Sequence, residues 1–324
     1  MRFSPSLILA FVVLASLAWA QEVEPKAASA GSQETSPGSE VTKSPAQLPN
    51  APPITLQPDA SGNVPSEQIR TLLARAEEND LENDKQLRNY TYIERQEEHK
   101  LDGKGNVAKT EIRTSEILEI YGEDVEKLIA KDDKPLSAED AQKEDDKIQK
   151  IIDKRKNESE GERRKRIEKE EKEREEDRKF VLEVADAFDF RLLGSETVDG
   201  HDTWVLEGTP RPGFEPKSRE AKLLPKFQGR VWIDKTETQW VKFDVTALDT
   251  ITFGLFLARI HKGARVVVDL TKVNGEVWLP RHVQFHVDAR VALLKEYRED
   301  VDPTFRDYKK FRTESKITLV GDPQ

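Results

Sequence analysis

Few residues in this chain could carry chemistry. The 324-residue sequence contains five histidines and no cysteine. Without cysteine there are no thiolate metal sites, disulfides, Cys nucleophiles or lipid anchors on a cysteine. His282, His286 and Asp288 recur at even positions of one stretch, which places them on a single face of a strand. At the usual rise, the two histidines lie about 13 Å apart, so they cannot chelate one ion without a ligand from a neighbouring strand. The expectation is therefore no metal and no cofactor. Serine, histidine and aspartate all occur, yet no serine sits in a Gly-x-Ser-x-Gly elbow, so no catalytic residue is assigned and a non-enzyme is expected. Asn89-Tyr90-Thr91 and Asn157-Glu158-Ser159 match glycosylation sequons, which count only in a eukaryotic secretory pathway.

Apolar binding has richer material. In Arg281 to Ala292, Val283, Phe285, Val287, Ala289 and Val291 point one way, and His282, Gln284, His286, Asp288 and Arg290 point the other. Val266, Val268 and Leu270 repeat the rhythm, as do Val241, Phe243 and Val245, so several strands share one apolar surface. Trp204, Trp232, Trp240 and Trp278, with Phe253, Phe256 and Phe285, either line a pocket on that surface or fill an ordinary core, the commoner fate of such residues. The run Phe253 to Ile260 is apolar on both faces. It reads as a doubly buried strand or as a short helix or loop at the mouth of a concavity. The candidate ligand contacts are Phe253, Leu255, Phe256, Leu257, Phe285 and Val287.

The elements that must position these residues can be read in order. Met1-Arg2-Phe3, the apolar run Leu7 to Leu17 and the small residues of Ala18-Trp19-Ala20 make residues 1–20 read as a cleaved secretory signal. Residues 21–64, rich in Ser, Pro, Ala, Gly and Glu, read as a disordered spacer. Residues 65–324 form the expected folded domain. A helix opens at Pro65-Ser66-Glu67-Gln68, carries Ile69, Leu72, Leu73, Ala76 and Leu81, and ends near Leu87. Tyr90 to Glu94 opens a strand, Asp102 to Asn106 turns, Ile112 to Tyr121 returns, and Val125 to Ala130 adds a short strand.

Ser137-Ala138-Glu139-Asp140 is an N-cap signal, and the chain then reads as helical through about Phe188, a charged insertion at 137–189. Acid-first pairs such as Glu160/Arg164, Glu162/Arg166, Glu168/Lys172, Glu170/Arg174 and Glu175/Lys179 support it. Between Asn157 and Lys179 the one large aliphatic residue is Ile167, so that part should be a solvated arm. The stripe Phe180, Val181, Val184 and Phe188 should dock. After Phe190 the pattern is consecutive antiparallel hairpins, with turns at Asp199-Gly200, Lys235 to Thr238 and Asn274-Gly275, and last long strands at Arg281 to Leu294 and Arg306 to Val320. This makes about ten strands. Two helical segments are too few to cover them, and a curved sheet with a partly filled apolar concavity follows.

Charged residues reach 35% with a net charge of −10, which argues against a nucleic-acid partner. No apolar run approaches the ~20 residues of a membrane span. The helix, hairpin, helical insertion and strands, with Val198-Asp199-Gly200-His201-Asp202-Thr203-Trp204-Val205-Leu206 and Gly229-Arg230-Val231-Trp232-Ile233-Asp234, resemble the LolA/LolB-type lipoprotein-carrier superfamily. The resemblance covers about Pro65 to Val320 and implies an α+β fold: an unclosed antiparallel half-barrel with a helical lid. It further implies a periplasmic carrier whose partners are lipid or lipoprotein acyl chains. The alternative is an envelope interaction or sensor module, its sheet filled by its own core and its charged arm binding a protein partner.

Overall fold

A computed structural model describes residues 54–253, 258–291 and 295–311. The expected signal and residues 21–53 of the expected spacer lie outside the described residues. Among the described residues the first elements are helix α1 (Ser66–Leu87), the hairpin β1 (Tyr90–Leu101) and β2 (Val107–Ile120), and strands β3 (Glu123–Lys131) and β4 (Lys134–Pro135). Helices α2 (Ala138–Lys156) and α3 (Glu160–Ala187) follow. Then come β5 (Phe188–Val198), β6 (His201–Pro210), a 3-10 helix (Glu220–Lys226), β7 (Phe227–Asp234) and β8 (Trp240–Ala247). The remaining strands are β9 (Ile251–Phe253), β10 (Ala258–Ile260), β11 (Arg265–Val273), β12 (Val277–Val291) and β13 (Lys295–Lys310).

All thirteen strands among the described residues join one sheet in the order β4-β3-β2-β1-β13-β12-β11-β8-β7-β6-β5, with β10 beside β12 and β9 beside β10. The strand pairings among the described residues are antiparallel. The two edge strands, β4 and β5, do not pair with each other, so the curved sheet stays open. The fold is α+β, as the pattern implied.

Several boundaries differ for physical reasons. The expected single insertion helix breaks at 157–159: Asn157 closes α2, and Ser159 starts α3 with a full capping box to Glu162. Glu162 is thereby taken from Arg166, which pairs with Glu158 instead. Arg164 and Lys172 turn forward to Glu168 and Glu176, while Glu175 meets Lys179 at 2.7 Å as expected. Pro280 does not end a strand, because a register shift in the β11–β12 ladder accommodates its missing N–H. The last strand begins at Lys295, earlier than expected, because pairing with β1 and β12 overrides the low strand propensity of its charged residues. Residues 312–320 of the expected strand lie outside the described residues.

The end of the expected spacer also belongs to the body. Leu56 and Val64 are buried, Val64 N–H donates to the Phe190 carbonyl, and Leu192 N–H donates to the Gly62 carbonyl. Its polar composition conceals two apolar residues at the spacing needed to strap the edge of β5.

The main core lies between the concave face and the pair α1 and α3. A second, small core is formed where Ile148 of α2 packs on Ile120 and Val125 of β2 and β3. The first part of the expected charged insertion is therefore docked on the sheet, and the stretch after it, the expected solvated arm, is mostly exposed.

Candidate functional site

The end of α3 explains where the site forms. After a charged stretch, Phe180 and Val181 are buried and Val184 is half-buried. With Leu73 of α1 they roof an apolar cavity of about 100 Å³. Phe188 and Phe190 of β5 wall one side, with Val231 of β7 and Trp240, Phe243 and Val245 of β8 beneath. Leu224 of the 3-10 helix closes another side. Among the described lining residues no side chain titrates, so the cavity offers dispersion and hydrophobic contact but no acid, base or nucleophile.

The floor includes two glycines paired in register, Gly208 on β6 and Gly229 on β7. A Cβ on Gly208 would lie 3.1 Å from the Phe190 ring, and one on Gly229 would lie 2.8 Å from the Asp244 carbonyl oxygen. Glycine is needed at 229, where backbone approaches this closely, and at 208 a side chain would require the Phe190 ring to shift by a few tenths of an ångström. The roof is pinned by Glu183, a buried α3 residue whose carboxylate accepts the Lys217 N–H at 2.9 Å and the Ser218 N–H at 3.3 Å. The loop leading into the 3-10 helix is thus held to α3.

The described side chains among the sequence-based site candidates do not belong to the cavity lining. Phe285 and Val287 are half-buried on β12, opposite Val301 and Glu299 of β13, and do not line the cavity. Phe253 ends β9, and Ala258 opens β10, which pairs with β9 antiparallel. Leu255, Phe256 and Leu257 lie outside the described residues. Of the tryptophans, Trp240 lines the cavity. Trp232 and Trp278 are buried, their indole N–H groups donating to Glu196 at 2.7 Å and Glu237 at 2.9 Å. Trp204 is half-buried and packs on the core. The docking stripe of α3 was visible in the sequence, but the paired glycines depend on register and were not.

The concave face is not apolar throughout. Across β1 and β2 it carries Glu94 opposite Ser115 and Glu98 opposite Glu111. Glu98 is buried, with Lys100 at 3.2 Å and Arg113 at 3.9 Å. Burial, then the charge of Glu126, pushes the Glu94 carboxyl up to about 7. The histidines pair with carboxylates instead of each other: His282 Nε2 is 2.6 Å from Asp302, and His286 Nδ1 is 2.6 Å from Asp300. Among the described residues no group of three or more His, Asp or Glu could hold a metal ion.

An open antiparallel half-barrel, lidded by helices over an apolar cavity, is the class of protein this architecture defines. No family model and no curated protein matches the chain. Solved structures that resemble it include a DUF1329 family protein from Desulfovibrio piger, with TM-score 0.29 and 11% identity over 78% of this chain and 95% of that one. A protein from Vibrio parahaemolyticus described as an outer membrane lipoprotein-sorting domain has TM-score 0.31 and 10% identity over 76% and 95%. A LolA superfamily protein from Nitrosomonas europaea has TM-score 0.29 and 11% identity over 75% and 94%. The last two of these distant neighbours bear names of the superfamily that the sequence resembles.

Proposed function

We propose that this chain is an exported, non-catalytic carrier of the cell envelope that holds an acyl chain, free or attached to a lipoprotein, between its helical lid and open sheet. The observation that carries this reading is the apolar cavity beneath α1, α3 and the 3-10 helix. Export is supported by the leader-like residues 1–20, and no described helix is long and apolar enough to cross a membrane. Burying each methylene contributes about 0.8 kcal/mol, so micromolar binding, about 8 kcal/mol, needs about ten buried methylenes and more once lid opening is offset. No covalent step is required.

The alternative, an interaction module, is favoured by one quantity. At about 100 Å³ the cavity is smaller than the roughly 300–1,000 Å³ of typical small-molecule pockets, so side chains fill most of the concavity. A cavity-filling variant, Val231→Phe, separates the readings. The carrier reading expects fluorescent fatty acid to bind the wild type and at least tenfold more weakly to Val231→Phe, with urea unfolding little changed. No binding by the wild type, and no lipid in native mass spectra of the purified protein, would overturn it in favour of the interaction module.

A further inference from the structure

Helices α1 and α3, which roof the cavity, meet along a seam that begins one turn beyond the cavity lining. Leu73 of α1 and Phe180 of α3 both touch the cavity. Glu77, one turn after Leu73, is 2% exposed, and neither carboxylate oxygen has a hydrogen-bond partner. The charges of Asp177 and Arg178 on α3 act on it, and Glu77, Asp84 and Asp177 in turn act on Asp80 of its own helix. The seam therefore places Glu77, Asp80, Asp84 and Asp177 together with Arg178. Farther along, Arg70 of α1 pairs with Asp186 of α3, so the far end of the same helix pair is held by an ordinary ion pair.

A buried carboxylate with no partner is costly, while a protonated carboxyl is far less so. Separating the helices exposes Glu77 to water and removes that cost. We infer that the α1–α3 seam is a proton-operated latch on the cavity: protonation of Glu77 closes the helices over it, and ionisation favours their parting. This rests on the cavity being the binding site, but the latch itself can be measured without any lipid.

Burial, then Asp177, pushes the Glu77 carboxyl up to about 8 in the closed state, with Arg178 opposing. Asp80 is pushed up in the same direction, by burial and then by Glu77, Asp84 and Asp177. An exposed glutamate titrates near 4.3. The closed state thus holds a proton that the open state releases. Closure is strongest below the open-state value, weakens by up to about tenfold per pH unit above it, and levels off once pH passes about 8.

The chain has no native cysteine, so Leu73→Cys on the full chain places a single reporter thiol at the cavity roof. Its modification rate, divided by that of the same thiol in urea at each pH, reads lid opening. The corrected rate should rise at least tenfold between pH 5.5 and 8. Glu77→Gln in the same background should reduce the rise, and Glu77→Gln with Asp80→Asn should abolish it and hold the rate at its low-pH level. Val184→Cys on α3 should give the same profile, which protects the test if Leu73→Cys folds poorly. A corrected rate that changes less than twofold across this range, or a rise left undiminished by Glu77→Gln, overturns the latch. A normal pH profile in a protein that binds no fatty acid supports the latch and discards the carrier reading alone.

Discussion

Glu94 sits on the concave face of β1 between Phe305 of β13 and Ser115 of β2, a place where alternation alone would put an apolar side chain. Its carboxyl is pushed up to about 7 by burial and then by Glu126, so the folded chain holds this proton more tightly than the unfolded chain does. The stability it contributes is complete below about 4.5 and is lost as pH rises towards 7. Glu94→Gln removes that dependence. Relative to wild type, the variant should gain about 2 kcal/mol between pH 4.5 and pH 8, as read by urea unfolding at both values. A gap independent of pH would mean that Glu94 is solvated in the folded chain. Val287, also on this face, is half-buried and outside the cavity lining, so it belongs to a different part of the concavity from the one proposed to bind ligand.

Among the elements, α2 and α3 divide what reads as one charged insertion. The buried residue of α2 is Ile148, set against Ile120 and Val125, while Ile151 and Ile152 pack beside it. Arg155 of α2 reaches Glu123 of β3, and Glu158 joins Arg155 to Arg166 of α3. Ile148→Ala should therefore cost about 2 kcal/mol and raise hydrogen exchange in α2, β2 and β3 while leaving β5 to β8 protected. Uniform loss of protection across the sheet would show that the two cores unfold as one. The exposed ion pairs of α3 differ in kind, each worth at most about 0.5 kcal/mol, and substituting Lys169 or Lys172 should leave unfolding unchanged.

For the whole molecule, the open sheet must protect its edges. The strap before α1 caps β5 through the Gly62 and Val64 backbone and buries Leu56 and Val64. A chain beginning at Pro65 should lose about 3 kcal/mol for these two side chains and expose the edge of β5 to pairing with another molecule. Light scattering should then find association, and thermal unfolding should fall by roughly 2–4 °C per kcal/mol lost. A truncated chain that stays monomeric with unchanged unfolding would show that the strap adds nothing to the body.

Local rules determined α1, the first hairpin, the Asn274-Gly275 turn and the apolar stripe of α3, because each is set by periodicity or turn chemistry within a few residues. The capping box at Ser159 was equally local and could have been read from Ser159 and Glu162. Tertiary structure decided the rest. β13 is a strand because β12, its neighbour in sequence, and β1, from near the start of the fold, pair with it on either side, and the cavity exists where Gly208 and Gly229 fall side by side beneath α3. Phe285 and Val287 have the alternation of a binding face, but a period of two specifies only which side of a sheet a residue faces. Which stretch of that face a helix covers depends on where α1 and α3 cross it, and that placement is set by packing between segments more than a hundred residues apart.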